Sequence, residues 1–155
     1  MIGRIRPAGV KVALALALAL VLATAVGACA TRQVPVFTAT VQDAQRGPYA
    51  IELHDEAGVV ASIGAADTTT STLTFGAPAL QRDPGLPDAL LLTWAGSYCS
   101  TGARLTLRAV SPGYTLHVEG TGGSGGCPAA AAMRAVRIVT TTPLDPTTFT
   151  LTGGE

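Results

Sequence analysis

The chain has 155 residues, enough for one domain and too short for two comfortable ones. Ten Lys and Arg balance ten Asp and Glu, and charged residues are only 13% of the total. That argues against a nucleic-acid partner, which calls for a basic stripe, and against an acidic disordered tail.

Arg4, Arg6 and Lys11 form a positive opening, and 12–26 follows without a charge. As a helix this run spans about 22 Å at 1.5 Å per residue, short of a bilayer core of roughly 30 Å. It fits the apolar region of a signal peptide better than a membrane span. It closes on Val26-Gly27-Ala28-Cys29, an aliphatic residue, two small residues and a cysteine. This opening resembles that of bacterial lipoproteins with a lipobox, although Val26 stands where that family most often has Leu. The resemblance implies cleavage before Cys29, a diacylglyceryl thioether on its sulfur, and a place on the extracytoplasmic face of the cell membrane. Two other readings fit the same residues: secretion after cleavage behind Ala28-Cys29-Ala30, and an uncleaved anchor helix. On the lipoprotein reading, 1–28 is the signal, 29–34 a lipidated tether and 35–155 the folded domain. Seven Arg then face ten acids. Acyl chains, at ~0.8 kcal/mol per buried methylene, hold such a domain to the membrane rather than basic side chains.

Strand signals dominate beyond the tether. Residues 35–42 alternate, with Phe37, Ala39 and Val41 on one face. Residues 49–54 align Tyr49, Ile51 and Leu53; residues 59–63 align Val59, Ala61 and Ile63. Asp55-Glu56-Ala57-Gly58 between them reads as a hairpin turn with Gly58 at positive φ. Residues 71–75 align Leu73 with Phe75, and the dense run 89–94 reads as a central strand. Residues 103–110 place Leu105, Leu107 and Ala109 inward. After the Ser111-Pro112-Gly113 turn, Tyr114, Leu116 and Val118 share a face. Pro128 to Arg137, with four consecutive Ala, is the one helix-friendly stretch and allows one or two turns. Within it, 135–139 has two strand registers, and the one aligning Val136 with Ile138 buries no charge. Residues 148–152 bury Phe149 and Leu151. With no helix long enough for a parallel crossover, the pattern predicts an all-β, antiparallel β-sandwich of immunoglobulin-like architecture. A small β-barrel is the alternative.

If the lipobox consumes Cys29, Cys99 and Cys127 remain as an even pair in an exported domain, which predicts a disulfide; two buried thiols are the other outcome. Their separation of 28 positions excludes a CxxC redox motif. From Leu90 onward the chain resembles uncharacterised actinobacterial exported proteins. It shares a strand ending in Trp (Trp94), a Cys (Cys99), a two-strand meander, a second Cys (Cys127) and an Arg (Arg134) before the next strand. That resemblance implies no activity.

Glu52, His54, Asp55 and Glu56 form the densest titratable cluster and are the acid/base candidates for an envelope enzyme or enzyme accessory. Alternation instead puts Glu52 and His54 on a solvated face. Ser97 and Ser100 are the nearest nucleophile candidates, but neither sits in a GxSxG or SxxK motif. The glycine-rich 120–126 lacks the GK[ST] of a phosphate loop and reads as a plain loop. No cofactor fingerprint or metal-ligand spacing is spelled out. Arg134 and Arg137 could bind an anion. Trp94, Tyr98 and Tyr114 could form an aromatic binding surface at a sheet end; alternatively Trp94 packs in the core over the disulfide. The sequence thus points to a lipid-anchored, non-enzymatic binding or interaction domain for an envelope protein or cell-wall ligand. A purely structural envelope protein is a further alternative.

Overall fold

The computed structural model describes residues 32–43, 47–66, 77–123 and 131–154. The described residues from Val34 onward form one compact unit. Nine strands carry the described fold. They are β1 (Val36–Asp43), β2 (Gly47–Asp55), β3 (Val60–Ala65), β4 (Ala79–Arg82), β5 (Ala89–Ser97), β6 (Gly102–Val110), β7 (Gly113–Thr121), β8 (Ala131–Thr140) and β9 (Phe149–Gly154). One sheet runs β1-β2-β6-β7-β9 and the other β3-β8-β5-β4. The two are not closed into a barrel, so the architecture is the sandwich.

Alternation decides which side chains go inside. In β2, Tyr49, Ile51 and Leu53 are buried while Pro48, Ala50 and Glu52 are exposed. Leu105 and Leu107 of β6 and Leu116 and Val118 of β7 face the same interior. The opposite sheet supplies Leu90, Leu92 and Trp94 from β5, with Val136 and Ile138 from β8. β5 is buried from Ala89 to Trp94 on both faces, as its dense apolar run predicts.

Most neighbours are antiparallel, but β2 pairs with β6 and β7 with β9 in parallel. No helix is needed for these crossovers. Between β2 and β6 the chain travels through β3, β4 and β5 of the other sheet, and between β7 and β9 it travels through β8. A sandwich offers this return route, whereas a single sheet requires a covering helix.

Several local expectations change. Asp55 to Gly58 is a turn with Gly58 at φ +72°, but it joins no hairpin: β2 and β3 belong to different sheets. The turn is a corner. Asp55 is buried beneath it and accepts the Gly58 and Val60 amides, each at 2.8 Å. In β3 a register shift between Val60 and Ser62 breaks the alternation. Val60 is therefore buried and Ala61 exposed, with Val59 and Ile63 half-buried. Ala131 to Ala135 is strand, not helix, because pairing with β5 from Ser97 to Thr93 outweighs the modest helix preference of alanine. Ala109 is exposed at the end of β6. The strand expected over 71–75 lies outside the described residues.

The core makes a direct prediction. Leu92→Ala should lower unfolding free energy by about 2–5 kcal/mol, because a fully buried side chain leaves a cavity between the sheets. Leu86→Ala, at a position 44% exposed, should change it by roughly 0.5 kcal/mol or less. Denaturant titration of both variants distinguishes the two sites.

Candidate functional site

The outward face of the five-stranded sheet carries Glu52, His54, Arg104, Arg108, His117 and Glu119. Strand register sets them in rows. One row reads Val36, His54, Thr106, His117, Thr152. The next reads Thr38, Glu52, Arg104, Glu119. His54 lies 3.7 Å from Glu52, beyond hydrogen-bond length. Arg104 and Glu119 approach to 3.9 Å, both half-exposed. His117 shares a 3.0 Å hydrogen bond with Thr152. Beside these rows Glu56 accepts two bonds from Arg108, at 2.7 and 3.2 Å. That guanidinium holds the Glu56 carboxyl below its ordinary range, and Glu56 in turn raises Arg108.

The acid/base candidates therefore do not converge. Glu52 and His54 point outward. Asp55 points inward and holds the corner amides. Glu56 is engaged by Arg108. Ser97 and Ser100 lie at the turn before β6, where Ser97 Oγ accepts the Cys99 amide at 3.3 Å. That turn leads into Gly102, which registers with Ala50. His54 is four residues farther along β2, roughly 13 Å at the usual strand rise.

The aromatic candidates separate as well. Trp94 is 1% exposed, inside the sandwich opposite Arg134. Tyr98 is half-buried in the turn after β5. Tyr114 lies at the other end of β7, seven residues from the Thr121 that pairs with Gly102, and stacks on Phe149 with ring centroids 5.0 Å apart. Trp94, Tyr98 and Tyr114 thus form no common surface. Because β6 and β7 are antiparallel, their sequence proximity to the turns at opposite strand ends is misleading.

Both arginines of β8 are engaged in the fold. Arg134 is 3% exposed, and its guanidinium lies over the Tyr49 ring, 4.2 Å from the centroid. Sequence reasoning missed this interior cation. The signal was parity, since Arg134 alternates with Val136 and Ile138. Arg137, on the outer face, donates to the buried carboxylate of Asp83 at 2.5 Å. Arg137 and the Gly85 amide, in that order, hold the Asp83 carboxyl below its ordinary value of 3.8. Among the described residues, no three His, Cys, Asp or Glu side chains are grouped to hold a metal. The thiol of Cys99 is not free. Cys29 and Cys127 lie outside the described residues.

Comparison with known proteins finds no matching family model, curated protein or solved structure.

The Asp83–Arg137 pair predicts a pH dependence. The folded value of Asp83 is depressed, so the pair's stabilisation is complete above 3.8 and is lost as pH falls through the folded value. Arg137→Met should therefore melt below the wild type at neutral pH. The gap should narrow in strong acid, as thermal melts at both pH values will show.

Proposed function

We propose that the chain is a lipid-anchored cell-envelope protein whose β-sandwich acts as a binding or interaction domain rather than an enzyme. The observation that carries this reading is the order of its opening: positive residues, an uncharged run too short to span, then Val26-Gly27-Ala28-Cys29. Lipid on Cys29 tethers the domain through residues 29–34 to the extracytoplasmic face of the membrane. A rigid sandwich on a short tether presents its loops and edges to the envelope, where recognition residues are commonly carried. The dispersal of Glu52, His54, Asp55 and Glu56 weakens the competing enzymatic reading. General acid–base chemistry needs its groups within hydrogen-bond reach of one reacting centre.

A Cys99–Cys127 disulfide belongs to the same proposal, since an exported domain meets an oxidising compartment. Two features of the backbone support the pairing. A Cβ on Gly123 would lie 3.4 Å from the Cys99 carbonyl oxygen. Ala131, the first residue of β8, registers with Ser97. The chain is thus anchored beside the Cys99 turn both before and after Cys127. Closing a loop of this size contributes about 3–4 kcal/mol in the chain-entropy model.

Expressed in a lipoprotein-processing bacterium, the protein should incorporate labelled fatty acid and partition into detergent, and Cys29→Ser should lose both properties. Equal labelling of that variant would refute the anchor. Non-reducing peptide mapping of the exported protein should recover Cys99 linked to Cys127. Two thiols open to alkylation in the folded, exported domain would refute the bridge.

A further inference from the structure

Among the described residues four strands end the two sheets: β1 and β9 in one, β3 and β4 in the other. An exposed edge is a template for another strand, and natural sheets blunt it with bulges, charges, short strands or irregular backbone. Three of these edges are blunted. The register of β3 shifts between Val60 and Ser62. β4 is only four residues long. β9 closes on Gly153 and Gly154, at φ +83° and +135°.

Among the described residues β1 carries no bulge, and its one charge, Asp43, stands at its last position. The strand keeps one unbroken register with β2 over all eight residues, and Val36-Phe37-Thr38-Ala39-Thr40-Val41-Gln42 contains no charge, proline or glycine. The Asp55 amide donates to the Pro35 carbonyl, so in this antiparallel pair the odd-numbered residues of β1 bond to β2. The backbone N–H and C=O groups of Val36, Thr38, Thr40 and Gln42 therefore point away from the sheet. The same four side chains are exposed on its outer face, Val36 at 51%.

The occupant follows from the sequence of the strand. Opposed to itself in antiparallel sense, β1 must set outward backbone against outward backbone, which restricts even residues to even partners. Two registers satisfy this with equal overlap of the strand, but the one centred on Thr40 sets Phe37 against Asp43, an apolar residue against a charge, which leaves the one centred on Ala39. It sets Thr38 against Thr40 of the second copy and Val36 against Gln42. On the inner face it sets Phe37 against Val41, an apolar pair continuing the core side of the sheet. Asp43 meets Pro35, so no charge faces its like. We infer that β1 is a self-association edge, through which two copies of this chain join their five-stranded sheets into one continuous antiparallel sheet about a two-fold axis at Ala39. This assignment is independent of the lipid anchor, which brings copies together in the membrane but contributes no contact to the edge.

Thr40→Pro tests it. The lost N–H is one that points away from β2, and the facing residue across the pair is Ala50, which leaves room for the ring. The full chain, extracted in density-matched detergent, should sediment as a dimer. The Thr40→Pro chain should sediment as a monomer and keep a cooperative thermal melt that, unlike the wild type's, does not vary with protein concentration. In a second arm, read in intact membranes, Ala39→Cys should give a covalent dimer on a non-reducing gel, because the two Ala39 Cα atoms face each other at about 4.5 Å in a non-hydrogen-bonded pair. Thr38→Cys should not, since its counterpart in the second copy is displaced by two residues. A wild-type monomer at every concentration tested, a dimer that survives Thr40→Pro, or equal cross-linking at both positions would each overturn the inference. Should Thr40→Pro fail to fold, the two cysteine variants decide alone. A soluble chain lacking lipid would give the same sedimentation result in plain buffer, so failure of the anchor and failure of the edge are read separately.

Discussion

Both sheets of this domain must bury one face, and each can do so only against the other. The interior is a single apolar layer assembled from alternate residues: Ile51 and Leu53, Leu105 and Leu107, Leu116 and Val118 on one side, Leu90, Leu92, Trp94, Val136 and Ile138 on the other. Burial of this kind is the dominant favourable term in folding. It fixes strand register as well, because a slip of one residue turns a whole strand's apolar set outward. The parallel seams at β2·β6 and β7·β9 are a consequence. A chain that alternates between sheets returns to its first sheet in the direction it left, so the opposite layer replaces the covering helix that parallel strands otherwise need.

The polar groups inside this layer serve the same constraint. Asp55 turns the chain from one sheet to the other, its two carboxylate oxygens taking amides that the corner would otherwise leave unpaired. Arg134 rests on the face of Tyr49 across the interior, an arrangement that offsets part of the cost of removing a guanidinium from water. On the outside, Arg137 closes over Asp83. The charged residues that the sequence offers as chemistry are thus largely occupied in holding turns, corners and faces.

Much of the architecture is legible in the sequence because period-two alternation is a local signal. The inward residues of β2 and β7 follow from it directly, as do Leu105 and Leu107 of β6, while Ala109 is exposed and Phe149 and Leu151 of β9 are half-buried. Features that depend on distant partners are not local. The alanines of β8 are strand because β5 lies beside them. The turn at Asp55 resembles a hairpin in sequence, and only the position of β3 in the other sheet makes it a corner. The β3 bulge shifts Val60 inward with no residue type to announce it. Excluding buried charge selects Val136 and Ile138 correctly, yet the same face carries Arg134 one step earlier, where an aromatic ring across the interior receives it. The candidate site suffers most from this limit. Sequence proximity joins Glu52, His54, Asp55 and Glu56, whereas strand geometry sends consecutive residues to opposite faces.

Because one apolar interior holds both sheets, strands distant in sequence open together. Residue-resolved amide hydrogen exchange tests this most directly, since local fraying and global opening have different free energies. The account predicts that the sheet-paired amides of β2, β5, β6 and β8 exchange slowest and together, at the free energy of global unfolding, with the short edge strand β4 exchanging faster. Exchange of the β2·β6 amides as fast as those of β4, with β6 and β7 protected as an isolated hairpin, would contradict it.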